Sequence, residues 1–167
     1  LLPGEGNSVW VSTFHSMCLR ILRREIEHLG YDRDFSIYDT DDQRTLMRQI
    51  LKELNIDSKT LRERAVLSQI SQTKNRGGNA EDYLSESDGD YLSKLIYQCF
   101  KRYEEKLKEN NALDFDDLLL KTLALFEQFP EVLSQYQERF RYILVDEYQD
   151  TNDVQFRLIY ALAKKYR

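Results

Sequence analysis

Residues 40 to 128 carry a succession of apolar stripes at helical spacing, and a strand-like stretch lies on either side of them. This bracketing limits the possible folds more than any other feature. On the near side, "VWVSTF" (Val9 to Phe14) alternates and is rich in β-branched and aromatic residues, the pattern of a strand. On the far side, "YILV" (Tyr142 to Val145) is a short apolar run of the same kind. Two parallel strands need a crossover, and a crossover can hold a whole inserted helical block. The expectation is a small parallel sheet with a long helical insertion.

Within the block the helices are punctuated. "HSMCLRILRREIEHLG" has helical spacing through Met17 or Cys18, Ile21, Leu22, Glu25 and Leu29 and a stop at Gly30. Thr40 and Gln43 read as a capping box opening a helix with Leu46, Met47, Ile50 and Leu51 inward. Helical signals continue through Leu61, Val66 and Ile70 until "NRGGN" breaks them. "SESDGD" reads as a loop, and Tyr91 to Glu109 as one long helix. Asp114 can cap a helix with Phe115, Leu118, Leu119 and Thr122 on one face, and Pro130 suits the first turn of another. A last helix opens at Thr151 or Asn152.

Composition excludes some classes of function. With 41% hydrophobic and 32% charged residues the chain can build a core and is not disordered. No apolar run approaches the roughly 20 residues that cross a bilayer. Two cysteines without a secretory signal indicate a reduced, cytoplasmic chain. The net charge of −5 means that any nucleic acid must be held by local patches rather than by the whole surface. Residue 1 is leucine and the last residues stop within a helical pattern, so the chain reads as a piece of a longer protein.

"ILVDEYQDTN" runs an apolar strand into two adjacent acids, Asp146 and Glu147. In parallel α/β sheets ligands bind beyond the carboxyl ends of strands, so acids placed there face a site. One such acid can hold magnesium through water while its neighbour activates an attacking water. The plain alternative is an acid pair favouring the N-terminal dipole of the next helix. His15 and Cys18 have no second ligand pair, which argues against zinc. "DFDD" could hold a second metal, but capping by Asp114 with Asp116 and Asp117 in the first turn explains it more simply.

Three strings together resemble the superfamily 1 DNA helicases of the UvrD, PcrA and Rep type, most closely the PcrA-like branch. "DEYQDTN" resembles motif II, "VSTFHSMCLRILRR" the TFHS motif and its helix, and "LDFDDLL" the LDFDD motif, all in the family's order. The resemblance covers essentially the whole chain. It implies a mainly α fold, with a helical subdomain inserted between two parallel strands of a partial RecA-like α/β motor domain. Residues 1–30 and 113–167 would be motor domain and 31–112 the insertion.

The resemblance also implies roles. Asp146 would be the Walker B carboxylate for Mg2+, and Glu147 the catalytic acid, with Gln149, Asp150 and Thr151 supporting motif II. Thr13, His15 and Phe115 would lie along single-stranded DNA, and Arg20, Arg23 and Arg24 would touch phosphates. Each has a bland alternative: a structural histidine, a core phenylalanine, a solvated arginine face. No G-x-x-x-x-G-K-[ST] is present, so the 167 residues alone are expected not to hydrolyse ATP. The implied parent is an ATP-dependent helicase acting on single-stranded DNA and duplex junctions in repair or replication, with repair or replication proteins as possible partners. A non-catalytic helical module binding DNA or protein, or part of a helicase–nuclease subunit, is the alternative.

Overall fold

The structure, a computed structural model, describes residues 10–166. It is mainly α. The helices are α1 (Phe14–Glu25), α2 (Thr40–Glu53), α3 (Glu63–Asn75), α4 (Ala80–Glu86), α5 (Tyr91–Glu109), α6 (Phe115–Gln128), α7 (Pro130–Arg139) and α8 (Asp153–Ala163). Two strands of three residues, β1 (Ser36–Tyr38) and β2 (Ala112–Asp114), pair in parallel with Ile37 opposite Leu113. Helices α2 to α5 form the crossover between them. Among the described residues no helix is long and apolar enough to cross a membrane.

Most helix ends follow from local chemistry. Gly30 stops the first helical stretch with φ 73°, after a 3-10 turn at Ile26–Leu29; a side chain there would be strained. Asp90 caps α5, Asn152 caps α8, and Pro130 opens α7. The cap of α2 differs from expectation by one residue. Asp39, not Thr40, accepts from the Asp42 amide, and Asp42 returns the bond. An ionised carboxylate is the stronger acceptor for an amide at a positive helix end.

The two expected strands are not strands. Val9 lies outside the described residues, Trp10 to Thr13 is irregular, and Phe14 already belongs to α1. Tyr142 to Val145 is irregular as well, with Tyr142 94% and Leu144 100% exposed. A strand exists only when a neighbour takes up its backbone N–H and C=O groups. Among the described residues neither segment has such a neighbour. The parallel pair that brackets the helical block is β1 with β2 instead.

Buried side chains form two clusters. One gathers α1, α6, α7 and α8 around Ile21, Leu22, Leu119, Leu123 and Leu158. The other gathers α2, α3 and α5 around Met47, Ile50, Ile70, Phe100 and Tyr103. Strand β2 divides them. Successive strand residues point to opposite faces, so Ala112 enters the second cluster and Leu113 the first.

Candidate functional site

The turn after Val145 presents both motif II acids to solvent. Asp146 and Glu147 are exposed, and among the described residues neither carboxylate takes part in an ion pair. Glu147 has φ 51°, ψ 40°, a left-handed conformation that is uncommon for a residue with a side chain. The Asp146 side chain answers it: its Oδ1 accepts from the Glu147 amide at 2.9 Å. Asp150 N donates to Glu147 O at 2.9 Å, and Thr151 Oγ1 donates to Tyr148 O at 2.9 Å. Gln149, Asp150 and Thr151 thus sit in the short 3-10 turn (Tyr148–Asp150) or just past it. Asn152 then starts α8 with a reciprocal capping box to Gln155. The acids do not cap α8, whose cap is Asn152. Two adjacent carboxylates outside any ion pair among the described residues are the hard oxygen donors that magnesium prefers.

The other two strings meet in space. Helix α1 packs along α6, which brings the His15 ring 6.4 Å from the Phe115 ring, edge to face. Phe115 is 46% exposed, so it is not core. Thr13 is the N-cap of α1: its Oγ1 accepts from Ser16 N at 3.2 Å. The three arginines separate. Arg23 is committed inside the fold, with Nη1 donating to Arg33 O and Phe35 O at 2.7 Å each and its guanidinium 3.8 Å from the Phe35 ring centroid. Arg20 lies over the Trp10 ring at 5.2 Å, and Arg24 is exposed.

Beneath Phe115 lies a buried charge cluster. Asp114 caps α6 through a box with Asp117. Lys74, from the last turn of α3, donates to Asp114 Oδ2 at 2.7 Å and reaches Asp117 Oδ1 at 2.9 Å. Tyr103 OH donates to Asp114 Oδ2 at 3.0 Å. All four residues are buried. Burial alone would lower the Lys74 pKa, yet the two carboxylates raise it above the ordinary lysine range. Burial also opposes the Asp114 charge, but Lys74 and the donors around it hold that carboxyl below its usual value. Asp117 goes the other way: burial and the neighbouring Asp114 charge raise it. Asp114 and Asp117 of "DFDD" are therefore an ion-paired cap of α6. Burial also raises Cys18 to about 12 and Cys99 to about 11, so both are neutral thiols.

Comparison with known proteins places this arrangement. Residues 2–167 match the UvrD/REP helicase N-terminal domain. The chain belongs to that family. It is 46% identical over 165 residues to the ATP-dependent DNA helicase PcrA of Bacillus subtilis (strain 168), covering 99% of this chain and 22% of that protein. It is 44% identical over 167 residues to the PcrA of Staphylococcus aureus (strain COL), covering 100% of this chain and 23% of that protein. The chain thus spans under a quarter of the length of these relatives.

In this member of the UvrD/REP family the strings singled out in the sequence are exposed or clustered, but two neighbours were missed. Lys74 continues the stripe Val66, Ile70 at four-residue spacing. A lysine on a buried stripe needs partners, and that was the available signal. Asn75, next to it, accepts from Asn152 Nδ2 at 2.9 Å; nothing in the sequence marked this contact.

Proposed function

We propose that this chain is part of the first motor domain of an ATP-dependent DNA helicase that translocates on single-stranded DNA and unwinds duplex. Residues 31–112 would be its inserted helical subdomain and the flanking residues motor domain. The observation that carries the reading is the exposed Asp146–Glu147 pair, uncommitted to any ion pair among the described residues, within a chain of this family. Asp146 would hold the hydrated Mg2+ of Mg·ATP, and Glu147 would orient and deprotonate the attacking water. The metal would supply charge stabilisation at the phosphates. Asp150 and Thr151 hold the turn that carries the two acids, and Gln149 would support motif II from within it. The PcrA relatives are named as ATP-dependent DNA helicases, which supports ATP and DNA as the ligands, and a cytoplasmic setting is in keeping with them.

For the DNA we propose a track along Phe115, His15 and Thr13, with Arg20 and Arg24 toward phosphates. Arg23 contributes indirectly, by holding the segment at Phe35. A half-exposed aromatic at a helix start offers a stacking face that does not depend on sequence. Phe115→Ala in the full-length protein should weaken single-strand binding by about 1–3 kcal/mol. Its melting temperature should move far less than the roughly 3–5 kcal/mol typical of a buried phenylalanine would require. Unchanged binding with a large melting loss would remove Phe115 from the track.

The test of the whole reading is ATP hydrolysis by the full-length protein with and without single-stranded DNA. Strong stimulation by the strand is expected, and the 167 residues alone should be inactive. A full-length protein without strand-dependent hydrolysis would instead be a DNA- or protein-binding module.

A further inference from the structure

The last turn of α3 touches both motif-bearing segments at once. Lys74 reaches the acids that start α6, and Asn75 Oδ1 accepts from the side chain of Asn152, the cap of α8. Asn75 Nδ2 is turned back to Ser71 Oγ at 3.3 Å, which orients the amide. Just beyond, Gly77 has φ 86° and passes so near α8 that a Cβ would lie 2.5 Å from Arg157 Nη1. The arginine end can shift, so it is the positive φ that favours glycine there. Helix α6 begins with Phe115, and Asn152 closes the turn that carries Asp146 and Glu147.

We propose that Asn75 and Lys74 are positioning residues that set the helical block in register with the DNA-side motif and the nucleotide-side motif together, so that strand binding is felt at the acids. The two links differ in kind. The Lys74 link is charged and fully buried, and the fold depends on it. The Asn75–Asn152 link is neutral and partly buried, so it can be removed while the fold is kept. It joins α3, in the block, directly to the turn that ends motif II. This inference rests on the helicase reading above, because it concerns the coupling of that reading's two sites.

The test is Asn75→Ala in the full-length protein, with Asn75→Asp as the conservative variant. The aspartate keeps an oxygen for Asn152 Nδ2; the alanine does not. Alanine should leave the DNA-free hydrolysis rate and the KM for ATP within about twofold of wild type. It should lower the strand-stimulated kcat by roughly 3- to 30-fold, the range of coupling effects from intermediate residues. Asn75→Asp should restore most of the stimulation. Asn152→Ser, which keeps a capping oxygen but cannot reach Asn75, should add little to Asn75→Ala in the double variant. Strand stimulation that survives Asn75→Ala would overturn the inference. So would an equal loss with and without DNA, which marks a merely structural role, or failure of Asn75→Asp to rescue. Absence of strand stimulation in the wild type would instead overturn the helicase reading, and this inference with it.

Discussion

Glu147→Gln in the full-length protein should lower kcat for ATP hydrolysis by about 10²–10⁴-fold, the usual cost of removing a general base. Nucleotide affinity should stay near that of wild type. The structure makes the experiment clean. The Glu147 side chain is exposed and takes part in no ion pair among the described residues, and the bond that steadies its left-handed backbone is donated by the Glu147 amide to the Asp146 side chain. Replacing a carboxylate by its isosteric amide therefore removes proton affinity and little else. Melting should be unchanged within error. Asp146→Asn should behave differently, because it alters both the metal-facing oxygen and the bond that supports the turn. That variant should weaken magnesium-dependent nucleotide binding as well as turnover. Turnover of Glu147→Gln within threefold of wild type would remove Glu147 from catalysis.

The helices were legible because each carries its own signals. Tyr91–Glu109 reads directly from its stripe, and Asp114, Pro130 and Asn152 announce helix starts. The strands were not legible, for the opposite reason. "VWVSTF" and "YILV" have strand composition, but a strand is a property of two segments, and neither finds its second among the described residues. The fully exposed Leu144 shows the outcome: an apolar side chain without a sheet or a core to enter. The strands that do form, Ser36–Tyr38 and Ala112–Asp114, are too short for any alternation to register.

The site was legible in part. Its exposed acids and its two DNA-side strings could be quoted from the sequence. The meeting of His15 with Phe115 could not, because it depends on how α1 lies along α6. The left-handed backbone at Glu147 was equally invisible, since glutamate has no preference that would announce it. The position of Arg23 on a charged helix face gives no sign of its bonds within the fold. The carbonyls of Arg33 and Phe35 that claim it come from the following loop and strand approach, where no spacing rule reaches.

Lys74→Met should cost the most stability of any single change considered. The methionine fills much of the space of the lysine stem but leaves Asp114 and Asp117 buried without a cation. Breaking a buried pair from one side costs about 3–5 kcal/mol. Hydrogen exchange read on peptides covering the end of α3 and the start of α6 should therefore speed up by roughly 10²- to 10³-fold or more at neutral pH. The sign of the pH dependence separates this cause from lost packing. In wild type the Asp114 carboxyl is held below its ordinary value. The stability it contributes is present above the unfolded aspartate pKa, about 3.9, and fades as pH falls through the depressed folded value. In Lys74→Met both carboxyls lose their cation and are raised by burial. Their folded form is then favoured below the unfolded pKa and loses stability as pH rises through the raised one. The gap between variant and wild type should accordingly be widest near pH 7 and narrow toward pH 4–5. Asp117→Asn added to Lys74→Met should close much of the gap at pH 7, because it removes one of the two stranded charges while an amide oxygen still accepts from Asp114 N. A loss equal at pH 5 and pH 7, unrelieved by Asp117→Asn, would assign the role of Lys74 to packing and dissolve the charge cluster as an organising element of α6.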